Sequence, residues 1–202
     1  MTETASAAPE TRPPSARRTI ARLWQDAVAA GRKRPAYLVE ARGAWRDVSW
    51  EEADELVRAY ANGLLSRGVR KGDAFALLAR NSLEWALLDF ALARIGAVGI
   101  PVYASSSARD VAYLLAHSEA VGIVCEDDEQ LAKVEEHAGE LPALEHVLAF
   151  RDLPGLATEG LELAARSPDA LDEASEAVGE GDLFTIIYTS GTTGPPKGCM
   201  LS

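Results

Sequence analysis

"AFALLARNSLEWALLDFALARIGAVGIPVY" occupies residues 74–103 and contains one complete strand–helix–strand unit. Its first six residues are uninterruptedly apolar, bounded by Gly72-Asp73 on one side and Asn81 on the other, which is the length and punctuation of a strand. A strand with no polar alternation is buried on both faces, as interior strands of parallel sheets are. Residues 82–95 then follow helical spacing up to Gly96, and "AVGIPVY" returns to strand character.

The same scheme continues on either side. Downstream, Ser107 with Asp110 caps a helix through His117, "AVGIVCE" is another apolar strand, and a helix near 128–138 precedes "HVLAF" at 146–150. Upstream, Ser49 with Glu52 forms a capping box for a helix that presents Ala53, Leu56, Val57, Tyr60 and Leu64 and stops at Gly68. Before it, "AYLVE" and "AWRDVSW" read as two short strands around the turn at Arg42-Gly43, and residues 19–31 form a helix closing at Gly31. Alternating strands and helices predict an α/β protein: a doubly wound, mostly parallel sheet with flanking helices. Residues 151–180, rich in acids and punctuated by Pro154, Gly155, Gly160, Pro168 and Gly179, are expected to form a connection with one short helix. "DLFTIIY" (182–188) is the last strand, expected to be buried on both faces and left at a sheet edge, where unpaired backbone groups invite association.

Composition narrows the function classes. With 202 residues, 48% of them hydrophobic, the chain can bury a large core. Residues 1–50 hold nine Lys/Arg against five Asp/Glu, whereas residues 101–202 hold five against nineteen. The acidic second half argues against nucleic acid, whose binding rests on cations meeting phosphates. The basic start (Arg12, Arg17, Arg18, Arg22, Arg32, Lys33, Arg34) reads as a solvated tail and helix face, with peripheral contact to an anionic membrane as the alternative. Residues 1–18 are expected to be a disordered tail: the first sixteen are rich in Ala, Pro, Ser and Thr and lack the apolar core of a signal peptide. The stretch from Trp85 to Ala104 is interrupted by Asp89, Arg94 and Pro101 and does not read as a transmembrane span, so a cytoplasmic protein is expected. His117, His137, His146, Cys125 and Cys199 lack metal-ligand spacing, and no metal site is expected from them.

The chemistry concentrates in "YTSGTTGPPKGCMLS", Tyr188 to Ser202. Gly191, Gly194 and Gly198 allow main-chain N–H groups to approach a ligand, and Thr189, Ser190, Thr192 and Thr193 place four hydroxyls within five residues. Lys197 adds a compact cation on a long stem. Together these describe a polyphosphate cradle at the carboxyl end of a strand, where open α/β sheets place ligands. A Walker A loop is excluded, because Gly198 and not Ser or Thr follows the lysine and Pro195-Pro196 occupy the approach to it. The glycine fingerprint for dinucleotides is absent as well.

"YTSGTTGPPKG" resembles the signature loop of the adenylate-forming (AMP-binding) superfamily, and the order and spacing of residues 48–103 are similar to that family's N-terminal region. Within the family, residues 99–134 and "GTTGPPKGCMLS" look most like the long-chain fatty acyl-CoA synthetase branch. The resemblance covers residues 19–202. It implies a two-step ligation in which a fatty acid carboxylate attacks the α-phosphorus of MgATP, releasing pyrophosphate, and coenzyme A thiol then displaces AMP. It further implies that Thr189, Ser190, Thr192, Thr193 and Lys197 hold the β- and γ-phosphates, with Gly191 and Gly194 keeping the loop adaptable. Tyr188 is expected to anchor the loop by packing, and Cys199 to pack in the core. Catalytic residues are expected elsewhere: the acyl pocket, adenine and ribose contacts and adenylation lysine belong to later parts of the family's fold. The segment is therefore expected to be the N-terminal portion of such a ligase and inactive alone. Two alternatives stay open, a stand-alone nucleotide- or acyl-binding module without catalysis and a regulatory α/β domain with a polar loop.

Overall fold

The computed structural model of the chain describes residues 18–41, 43–189 and 195–202. The expected tail over residues 1–18 lies, but for Arg18, outside the described residues. Helix α1 (Ile20–Ala29) is followed by an antiparallel hairpin, β1 (Tyr37–Ala41) and β2 (Ala44–Val48), and by helix α2 (Trp50–Ser66). Then come β3 (Ala74–Leu78), α3 (Leu83–Ile95), β4 (Val98–Val102), α4 (Ala108–His117), β5 (Gly122–Cys125), α5 (Asp128–Glu135) and β6 (His146–Ala149). Helices α6 (Leu153–Arg166) and α7 (Ala170–Glu176) precede β7 (Thr185–Thr189) and β8 (Lys197–Leu201). The main sheet runs β6-β5-β3-β4-β7-β8, parallel throughout except for β8, which pairs antiparallel with β7.

The apolar run that starts β3 has the expected cause. Phe75 and Leu77 point into one core with Trp24, Val57, Leu88 and Leu156, under helices α1, α2, α3, α6 and α7. Ala74, Ala76 and Leu78 point into a second core with Val111, Leu115 and Val134, under α4 and α5. With β4 and β5 on its two edges, the strand meets protein in every direction. Helix starts also follow the sequence: the side chains of Thr19, Ser49, Ser82, Ser107 and Asp127 accept hydrogen bonds from the backbone N–H three residues on. The capping box at Ser49 is only half made, because Glu52 turns to Arg46, 2.6 Å away on β2. Gly96 closes α3 with φ +70°, a left-handed conformation that L side chains rarely adopt.

Three expectations change. Residues 151–180 hold two helices. Pro154 and Gly155 lie in the first turns of α6, where proline lacks no needed donor, and Gly160 is a contact site and not a breaker. A Cβ on Gly160 would overlap the Ala59 carbonyl of α2, and one on Gly63 would overlap the Leu156 carbonyl of α6, so the backbones of α2 and α6 touch. Arg67 seals that contact with two 2.7 Å bonds to Glu159. The last strand is the second change: β7 lies between β4 and β8 and is not an edge. Third, β7 is buried on both faces only where it enters the sheet, at Thr185. Ile186 and Tyr188 pack against the α4 core, while Ile187 stays 37% exposed on the opposite face.

Two charged groups are buried in ways that the pattern of the chain does not announce. Arg94 of α3 is 1% exposed; its guanidinium bonds to the Ser175 hydroxyl of α7 at 2.9 Å and lies 3.3 Å from Asp172 and 3.9 Å from Asp54. Asp54 in turn accepts the Trp24 indole N–H at 2.7 Å, so one network joins α1, α2, α3 and α7. Burial lowers the Arg94 pKa, opposed by the attraction of Asp54. Asp89, on α3 beneath Gly99 of β4, is pushed up to about 6 by burial.

Two measurements follow from this packing. Gly160→Ala should cost about 1–3 kcal/mol or more by forcing α2 and α6 apart, whereas Gly155→Ala, in open space on the same helix, should gain up to about 1 kcal/mol. Urea unfolding of the two variants would show the opposite signs. For Asp89, the fold binds the proton more tightly than the unfolded chain does. Its stabilising contribution is therefore present below the ordinary value of 3.8 and lost as pH rises through about 6. Asp89→Asn should stabilise the protein at pH 7 by no more than about 3 kcal/mol, with the gain largely gone at pH 4.

Candidate functional site

The carboxyl ends of the parallel strands form one rim of the sheet, and the hairpin formed by β7 and β8 opens on that rim. Thr189 ends β7, Lys197 begins β8, and the two face each other directly in the ladder. Side chains alternate along both strands, so Thr189, Lys197, Ile187 and Cys199 share the face turned away from α4, and all four are exposed. Lys197 makes no ion pair among the described residues, which leaves its ammonium group free for an anion. Of the residues read as phosphate-binding from the sequence, the structure therefore juxtaposes Thr189 and Lys197. Ser190, Gly191, Thr192, Thr193 and Gly194 lie outside the described residues.

The opposite face of the hairpin rests on α4. Tyr188 bonds through its hydroxyl to His117 Nδ1 at 2.8 Å, and the two rings meet edge-on at 85°. Burial raises the Tyr188 pKa, with Tyr113 nearby adding to the effect. The Tyr113 hydroxyl donates to the Pro196 carbonyl at 3.0 Å, on the other arm. Tyr188 thus packs as its place before the loop suggests. Gly198 has a different role from the one expected. It sits opposite Tyr188 in the ladder, and a Cβ there would come within 2.7 Å of Ile186 and 3.4 Å of the Tyr188 ring. Glycine follows the lysine because two side chains of the neighbouring strand fill the space. Neither Tyr113 nor His117 carries a sign of this role in the sequence, where His117 only ends a helix and lacks metal-ligand spacing. Their i, i+4 spacing on a capped helix was legible, but their partners lie 83 and 71 residues away.

A second feature of the same rim is an open cavity of about 680 Å³ at the ends of β3, β4 and β5, lined by Arg80, Asn81, Tyr103, Ser105 and Asp127 among others. Its charges suit a polyphosphate poorly. Glu126 takes the Arg80 guanidinium at 2.7 Å and its backbone N–H at 2.9 Å, which holds the Glu126 carboxyl below its usual range. Lys133 is spent on the Ala104 carbonyl and on Gln130. Among the described residues no cluster of three or more His, Cys, Asp or Glu side chains could hold a metal ion, and no helix is long and apolar enough to cross a membrane.

Cys199 corrects another expectation. It is exposed on β8 and does not pack in the core, because its position in the ladder turns it away from α4, beside the exposed Ile187. Cys125 is buried, and burial pushes its thiol up to about 12. A disulfide-exchange reagent at pH 8 should therefore modify one thiol of the folded chain rapidly and the second only on unfolding. Cys199→Ser should abolish the fast phase, which a colorimetric thiol assay would show.

Comparison with known proteins identifies the family. The family model for the AMP-binding enzyme matches residues 24–202. Long-chain-fatty-acid–CoA ligase FadD15 of Mycobacterium bovis is 41% identical over 173 residues, which are 83% of this chain and 29% of that protein. Long-chain-fatty-acid–CoA ligase ACSBG2 of Xenopus laevis is 31% identical over 192 residues, 91% of this chain and 26% of that protein. Among solved structures, the inhibitor-bound N-terminal domain of FACL13 from Mycobacterium tuberculosis superposes with a TM-score of 0.75 at 25% identity, over 91% of this chain and 44% of that one. The chain spans less than a third of the length of these two curated ligases. From Trp24 onward, through both helical layers and the terminal hairpin, it belongs to the AMP-binding enzyme family.

Proposed function

We propose that residues 19–202 are the N-terminal portion of a long-chain fatty acid–CoA ligase and that the β7–β8 hairpin grips the triphosphate of ATP. The observation that carries the reading is the pairing of Thr189 with Lys197, which makes no ion pair among the described residues, at the carboxyl-end rim of the sheet. In the first step a fatty acid carboxylate oxygen attacks the α-phosphorus and the bond to the pyrophosphate oxygen breaks. Negative charge then gathers on the departing pyrophosphate. The Lys197 ammonium, the hydroxyls of Thr189, Ser190, Thr192 and Thr193 and the backbone N–H groups of Gly191 and Gly194 would hold the β- and γ-phosphates against that charge. Magnesium enters as MgATP, part of the substrate. In the second step the coenzyme A thiol attacks the acyl carbon and AMP leaves. A cytoplasmic location belongs to this reading, and the names of the matched ligases support fatty acid as the carboxylate.

Residues 1–202 by themselves are expected to bind polyphosphate weakly and not to complete the ligation. One exposed cation contributes ~0–1 kcal/mol, and residues 101–202 carry five Lys/Arg against nineteen Asp/Glu, a net of −14 that repels an anion. Affinity for ATP should be about millimolar, and pyrophosphate should compete about as well. Amide NMR titration of the 202-residue chain at low and high salt is the test. Salt-sensitive shifts around Thr189 and Lys197, reduced by Lys197→Ala, are expected. Micromolar ATP binding indifferent to pyrophosphate would point to a nucleotide-binding module with its own base site, and fatty acid-dependent release of AMP would show that the segment is active alone.

A further inference from the structure

We propose that Tyr113 and His117 of α4 are positioning residues that clamp the two arms of the β7–β8 hairpin and thereby set where Lys197 is held. The proposal rests on the reading of this hairpin as the triphosphate grip. Each contact falls one residue away from a phosphate-facing side chain. Tyr113 bonds to the Pro196 carbonyl, which belongs to the same peptide unit as the Lys197 N–H, and so orients the plane from which the lysine departs. His117 bonds to Tyr188, the residue before Thr189. The rings of Tyr113 and His117 lie 5.5 Å apart, so the two ties form one continuous group with Tyr188.

The face matters as much as the sequence position. Alternation places Tyr188 and Gly198 towards α4 and Thr189 and Lys197 away from it, so the clamp grips the hairpin from behind without occupying the ligand face. Gly198 makes this possible by leaving room for the Tyr188 ring. The anvil itself is rigid: α4 is capped at Ser107 and anchored by buried Val111, Leu114 and Leu115. A long lysine on an exposed strand has many conformations to lose when it meets an anion, and a fixed backbone at its root reduces that loss.

Tyr113→Phe tests this, since it keeps the ring and removes one hydroxyl. In the 202-residue chain, titrated with inorganic pyrophosphate and followed at the Lys197 and Thr189 amides, it should weaken binding about fivefold. The melting midpoint should hardly move. In a Lys197→Ala background the same substitution should have no further effect, because the clamp acts through the lysine. His117→Asn should behave in the same way. Unchanged pyrophosphate affinity in Tyr113→Phe, or an equal loss with and without Lys197, would overturn the positioning role while leaving the triphosphate reading intact. Absence of salt-sensitive pyrophosphate shifts in the unmodified chain would overturn both.

Discussion

Strand β3 gives up both edges and both faces to other parts of the chain, and the remaining architecture is arranged around that burial. Its backbone groups pair with β4 on one side and β5 on the other. Its side chains divide between two cores, Phe75 and Leu77 on one face and Ala74, Ala76 and Leu78 on the other. Neither core closes without helices, so a fully apolar strand obliges the chain to send helices to both sides. The two layers differ in thickness. Five helices cover one face, and α4 and α5 cover the other.

The thicker layer is held by close approach and by buried charge. Gly63 and Gly160 let the backbones of α2 and α6 touch, which brings more atoms into contact than larger side chains would allow. Arg94 draws α7 and α2 onto α3 through Ser175, Asp172 and Asp54. A buried guanidinium adds little net stability over an apolar side chain of equal volume, but it accepts few alternative partners, so it defines how these helices are arranged. Helix α7 in turn leads directly into β7, whose entry is held by the Lys71–Asp182 ion pair at 2.6 Å.

The thinner layer serves the hairpin. Because α4 presents Tyr113 and His117 to one face of β7–β8, the opposite face is left to Thr189, Lys197, Ile187 and Cys199. Electrostatics separates the two features of the rim. Around the cavity near Arg80 the basic groups are already satisfied by Glu126, Gln130 and a backbone carbonyl, while Lys197 has no such partner among the described residues.

Local chemistry in the chain determined most of the elements. Apolar runs bounded by glycine and asparagine defined β3, β4 and β5, and Ser caps defined where α2 and α4 begin, because caps and periodicity act within a few residues. The cradle composition and the family resemblance were legible for the same reason: Thr189 and Lys197 are eight residues apart in one motif. What only the tertiary structure decided depends on distant partners. Gly160 reads as a helix breaker until Ala59 of α2 is laid against it. Cys199 and Ile187 read as core until the ladder places them side by side on the face away from α4, where both stay exposed. Strand β8 reads as loop in the sequence, because its pairing partner is supplied by β7 across the intervening residues. Gly198 seemed a phosphate-approach residue, and the space it leaves belongs to Tyr188 and Ile186. Tyr113 and His117 show locally only that they share a helix face, since a hydroxyl or an imidazole on a helix gains its meaning from whatever the fold brings within 3 Å of it.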